Sequence, residues 1–111
     1  VTYQTAVLNR AKEIANAQGR LASSPAERSS DGRLVLCAAS CIALAAIEQN
    51  SAVISAAEFG RRVLTEDKAT FIPSLFEAHG LGAERARNAM RENDNRDPSA
   101  RLPWFNTLDA I

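Results

Sequence analysis

Residues that carry chemistry are scarce in this chain: its 111 residues include one histidine, two cysteines, one methionine, one tryptophan and one tyrosine. A single histidine with two cysteines falls short of the paired, closely spaced ligand clusters of structural zinc sites, so no metal is expected. Net charge is lacking as well. Thirteen basic residues balance 13 acidic ones, and no overall field draws the protein to phosphate backbones or anionic lipid. Long apolar runs are also missing. The least polar stretch, "LVLCAASCIALAAI" at 34–47, has 14 uncharged residues between Arg33 and Glu48, whereas a membrane-spanning helix needs about 20. No membrane partner is expected. The opening "VTYQTAVLNRAKEIA" places Arg10, Lys12 and Glu13 where a secretion signal would have its apolar centre, so no signal peptide and a cytoplasmic location are expected. In that reducing compartment a structural disulfide is not.

What the chain does have is leucine, alanine and isoleucine, with few windows that alternate at period two. That pattern predicts an all-α fold: a single compact domain over 1–111, a bundle of five or six helices around an Ala/Cys-rich central helix. A first helix is expected from about Tyr3 to Gln18, with Tyr3, Val7, Ala11, Ile14 and Ala15 on one face and Gly19 as its stop. "SPAE" at 24–27 reads as a helix start and Asp31-Gly32 as a tight turn. The central helix is expected from about Arg33 to Asn50. "SAAE" at 55–58 starts a helix to about Thr65, with Ala57, Gly60 and Leu64 inward. Further helices are expected around "SLFE" at 74–77, from about Ala83 to Glu92, and after the capping Asp97 and Pro98, with an interruption at Pro103.

On a helix, residues 34–47 are apolar on nearly every face, which marks a helix at the centre of its fold. Its small side chains let neighbouring axes approach closely. Cys37 and Cys41, four residues apart, would hold their Cβ atoms about 5–6 Å apart on a helix, too far for a disulfide, which wants about 3.5–4.5 Å. The spacing is also not the C-x-x-C of thiol oxidoreductases. Both cysteines therefore read as small hydrophobes. His79, before Gly80, reads as a polar cap near the last carbonyls of its helix.

Three other constellations bear on function. "FIPSLFEAHGLGAERARNAMREN" at 71–93 has a helix-turn-helix outline with Arg85, Arg87 and Arg91 on its second helix, but Glu84, Glu92 and Asp94 interrupt the basic face that groove entry requires. "RENDNRDPSAR" at 91–101 offers Asn93, Asp94 and Asp97 either as loop and cap chemistry or as a small polar site; its spacing is not that of a calcium loop. "LPWFNTLDAI" at the end sets Trp104, Leu108 and Ile111 on one stripe with Phe105 beside it. That stripe either closes the chain's own core or docks on a second subunit or another protein. No Ser-His-Asp or Cys-His arrangement can be drawn, and no catalytic residue or cofactor is assigned.

The stretch "SSDGRLVLCAASCIALAA", with "ENDNRD" before a final apolar helix, resembles a family of small helical proteins from bacteria and their phages. The positions that carry the likeness are Asp31, Gly32, Cys37, Ala38, Asn93 and Asp94. Ser40-Cys41 stands where the family pattern has a Gly-Ala step, and Glu92 where it has an aromatic residue. The resemblance implies a helical fold around a central Cys-Ala helix and brings no assigned activity with it.

The expected function is a non-catalytic interaction module that self-associates as a homodimer or binds another protein. The alternatives are a nucleic-acid accessory protein using the helix pair around Gly80, and a small-ligand or enzymatic site between helices. If 34–47 is core, a thiol reagent should label neither Cys37 nor Cys41 rapidly in the native protein; fast stoichiometric reaction would contradict it.

Overall fold

Helix α1 (Tyr3–Gln18) starts where the Thr2 hydroxyl accepts the Thr5 amide at 3.1 Å. It stops at Gly19, whose φ of 80° is left-handed and suits a residue without Cβ. The computed structural model describes residues 2–67 and 69–110. In it Val7, Leu8, Ala11 and Ala15 form the buried stripe of α1 and Ile14 is half-buried, but Tyr3 lies at the exposed helix start.

The chain then makes an antiparallel hairpin of β1 (Ala26–Arg28) and β2 (Leu34–Leu36), which departs from the all-α expectation. Ser24 caps no helix; its hydroxyl donates to the Ala26 carbonyl at 2.9 Å. The expected turn at Asp31-Gly32 decides the outcome. Gly32, at φ 84°, closes a three-residue loop in which its N–H reaches the Ser29 carbonyl at 2.9 Å, and the Ser29 N–H donates to the Arg33 carbonyl at 2.8 Å. A loop of this length ending in a left-handed residue is a hairpin connection. It sets Ala26 opposite Leu36, Glu27 opposite Val35 and Arg28 opposite Leu34. The central helix therefore does not begin at Arg33. Residues 34–36 are a strand, and an apolar run this short cannot be told from helix by its periodicity.

Helix α2 (Ala38–Gln49) follows directly, with every residue from Ala38 to Ile47 buried except the half-buried Leu44. Helices α3 (Ala56–Arg62), α4 (Phe71–Ala78) and α5 (Ala83–Asp94) all pack on α2 along with α1, and α6 (Pro98–Asn106) packs on α1. The fold is thus mostly helical, with six helices and one small sheet among the described residues.

Ser55 caps α3 by accepting the Glu58 amide at 3.1 Å, as its Ser-x-x-Glu pattern predicts. The inward residues differ: Phe59 and Val63 are buried, whereas Ala57 is exposed and Gly60 and Leu64 are half-buried. Phe59 stacks on Phe71 with ring centroids 6.0 Å apart, and Arg62 lies over Phe71 at 5.1 Å. Helix α4 starts early enough to admit Pro73 in its first turn, and Phe71, Ile72, Leu75 and Phe76 all become buried.

Helix α6 runs through Pro103 rather than breaking there. It is tied to α1 by a pair of amide hydrogen bonds between Asn16 and Asn106, at 2.8 and 3.1 Å, and by the Lys12 ammonium on the Leu108 carbonyl. Phe105 is fully buried in the chain's own core; Trp104 and Leu108 pack half-buried against it. Phe105→Ala should therefore cost about 3–5 kcal/mol of stability in chemical denaturation, the range for emptying a buried aromatic site. Trp104→Ala should cost clearly less.

Candidate functional site

Helix α2 is incompletely covered at Leu44 and exposed at Glu48. There α1, the hairpin and α2 enclose an open groove of about 660 Å³. Helix α1 contributes Arg10, Glu13, Ile14, Ala17 and Gln18, which recur at helical spacing on one face. Helix α2 contributes Leu44 and Glu48, one turn apart, and the hairpin contributes β2 with Ser29, Ser30, Asp31 and Arg33. The floor is aliphatic, with Ile14, Leu34 and Leu44 each half-buried. The rim is charged and mostly self-paired.

The Arg10 guanidinium donates from Nε to Glu48 Oε1 at 2.7 Å, from Nη2 to Glu48 Oε2 at 3.4 Å and from Nη1 to Glu13 Oε1 at 3.1 Å. These contacts, Glu48 foremost, hold its proton still more firmly than usual. Arg20 pairs with Glu27 at 2.7 Å. Arg33 is the loosest: its side chain is 73% exposed and its nearest acid, Asp31, is 3.9 Å away. Asp31 is held below the usual carboxylate range chiefly by the Ser29 hydroxyl, then by the Arg33 backbone N–H and charge. Exposed pairs of this kind add little stability; what they shape is the charge pattern of the rim.

The residues singled out from sequence lie elsewhere and do not converge. Asn93 is fully buried, Asp94 is exposed beside it, and Asp97 is the exposed N-cap of α6 without a side-chain cap bond. The Asn93 carboxamide is consumed inside the fold. Its Oδ1 accepts the Ala38 amide at 3.2 Å; its Nδ2 donates to the Ala22 carbonyl at 2.8 Å and to Asp94 Oδ1 at 3.1 Å. Arg101 Nε donates to the Asn93 backbone carbonyl at 2.9 Å.

On α5, Arg85, Arg87 and Arg91 are exposed; Arg87 pairs with Glu84 at 3.3 Å and Arg91 donates to Asn88. Trp104 carries the Arg96 guanidinium 4.4 Å above its ring. Ile111 lies outside the described residues.

Cys37 and Cys41 are buried, and burial raises both thiol pKa values, with the Ser40 hydroxyl partly opposing the shift at Cys37. Among the described residues no three of His, Cys, Asp and Glu come together as a metal-ligand set, and no helix is long and apolar enough to cross a membrane. His79 is buried, and neither ring nitrogen has a hydrogen-bond partner among the described residues. His79 is the C-cap residue of α4, its backbone N–H donating to the Leu75 carbonyl at 3.0 Å, but its side chain makes none of the expected bonds to the last carbonyls.

The groove was not marked by any motif. Its signal in the sequence is Arg10, Ile14, Ala17 and Gln18 on one side of α1, a face that becomes a wall only once the hairpin folds beside it. No protein-family model, curated protein or solved structure matches this chain.

Burial lowers the His79 pKa from 6.5. The unfolded chain then binds a proton at higher pH than the native state does. The resulting stability is full above about pH 6.5 and declines as pH falls from there toward the lowered native value. In denaturation series between pH 7 and 5, His79→Leu should flatten this decline; an unchanged slope would show that His79 titrates alike in both states.

Proposed function

We propose that this protein is a non-catalytic interaction module and that the groove between α1, the hairpin and α2 is its recognition surface, receiving a segment of another polypeptide. One observation carries the reading. On a central helix otherwise covered from Ala38 to Ile47, Leu44 remains half-buried and joins Ile14 and Leu34 in an aliphatic floor ringed by charged side chains. An apolar centre with a polar rim is the anatomy of a protein-protein contact. Small ligands favour clefts that bury about 70–90% of their surface, and this groove is open to solvent.

Self-association through the C-terminal helix draws less support. Phe105 belongs to the chain's own core and Lys12, Asn16 and Arg96 engage the surroundings of Leu108, Asn106 and Trp104. The arginines of α5 share their helix with Glu84 and Glu92, which weakens a nucleic-acid reading.

A display library of short random peptides, selected against the folded protein, tests the proposal. The recovered peptides should share an aliphatic residue and lose at least about tenfold in affinity to Leu44→Lys, as expected when a central apolar contact is removed. Leu34→Glu serves as the second variant should Leu44→Lys fail to fold. Recovery of no peptide, or binding indifferent to whichever variant keeps its circular dichroism spectrum, would overturn it.

A further inference from the structure

The hairpin register decides which backbone groups of β2 face the groove. The Cys37 N–H donates to the Pro25 carbonyl at 3.3 Å and the Ser29 N–H to the Arg33 carbonyl at 2.8 Å. In an antiparallel ladder, hydrogen-bonded pairs alternate with outward-turned ones. Glu27 and Val35 therefore bond across the hairpin, while Leu34 and Leu36 turn their N–H and C=O groups outward, toward α1.

At Leu36 the outward groups are already used. The Gln18 side chain accepts the Leu36 N–H at 3.0 Å and donates to its carbonyl at 3.2 Å, and the Ala22 N–H joins that carbonyl at 3.1 Å. The Gln18 amide thus occupies the position of a neighbouring strand. Two residues along the same edge, the Leu34 N–H and C=O have no such partner among the described residues. Beyond them the Gly32 N–H is taken by the Ser29 carbonyl and the Gly32 carbonyl by Arg28 Nη1 at 3.0 Å. The open edge is one residue long, and Leu34 lines the groove together with Ile14 and Leu44.

We propose that the groove binds an extended peptide by strand addition at Leu34, an inference that rests on the groove being the recognition surface. The peptide backbone donates to the Leu34 carbonyl and accepts its N–H, continuing the edge that Gln18 begins. One aliphatic side chain lies on Ile14, Leu34 and Leu44. Side chains alternate along a strand, so an adjacent residue points out of the floor, and an acidic residue there meets Arg33. Arg33 is the rim arginine suited to this, because Arg10 and Arg20 each already hold a carboxylate at 2.7 Å while Arg33 stands 3.9 Å from Asp31. A helical partner would satisfy its own backbone and leave the Leu34 groups to water. In strand addition those main-chain groups supply affinity, and the alternating side chains supply selectivity.

The test uses the tightest peptide recovered from the display library, with amide exchange and methyl signals followed by NMR on the full chain. At saturation the Leu34 amide should exchange at least about tenfold more slowly than in the free protein, while the Ile14 and Leu44 methyl signals move. Arg33→Glu should weaken acidic peptides about tenfold, and replacing their acidic residue by lysine should restore binding. Moving methyl signals with an unchanged Leu34 amide would overturn strand addition and leave the groove as the binding surface. Unmoved methyl signals would overturn both. A protected Leu34 amide with no effect of Arg33→Glu would overturn the acidic preference.

Discussion

The buried side chain of Asn93 holds the start of the central helix, and the rest of the arrangement depends on that contact. A helix leaves its first backbone N–H groups without intrahelical partners. Helix α2 begins in the interior, with Cys37 and Ala38 almost fully buried, and Cys37 provides no side-chain cap. The acceptor for the Ala38 amide comes from Asn93, 55 residues away at the end of α5. The same carboxamide satisfies the Ala22 carbonyl, and the Asn93 backbone carbonyl receives Arg101 from α6. One residue thus links the segment before the hairpin, the first turn of α2, the end of α5 and the last helix. A buried polar group so fully bonded gives its position specificity, because any displacement orphans several groups at once.

The groove follows from the same geometry. With the start of α2 fixed, β2 must approach it directly, and the hairpin lies beside the C-terminal end of α1. Gln18 completes the Leu36 edge there, which shields part of a strand edge that would otherwise be open. The small residues of α2 let its neighbours approach closely on the other sides. Leu44 is left facing the space between α1 and the hairpin. The proposed recognition surface and the core therefore share one helix, and the charged rim includes Arg10, which links α1 to Glu48 on α2.

Much of the helical order could be read from residue patterns. Helix α1 has the expected bounds, Ser55 caps α3, and the unbroken apolar run after Cys37 lies in the core. These features are local: a cap, a glycine stop, a uniform composition. The hairpin was not legible, since Leu34-Val35-Leu36 has no period of its own and becomes a strand only by pairing through the Gly32 loop. Asn93 read as ordinary loop chemistry because its partners, Ala22 and Ala38, are distant in sequence and carry no polar side chain to announce them. Ala38 and Asn93, far apart in sequence, meet in space as a helix start and its acceptor. The groove residues were illegible for the same reason as the hairpin: Ile14, Leu34 and Leu44 come from three elements whose juxtaposition is tertiary.

The most direct measurement is the stability of Asn93→Leu by chemical denaturation, beside Arg85→Ala as a surface control on the same helix. Leucine approximates the shape of asparagine but leaves the Ala38 N–H and the Ala22 carbonyl without partners, at about 1–3 kcal/mol for each orphaned group. Asn93→Leu should lose at least about 2 kcal/mol, with Arg85→Ala changed by no more than about 0.5 kcal/mol, the usual range for surface substitutions. An Asn93→Leu protein as stable as the parent would contradict the claim that this side chain holds the central helix in place.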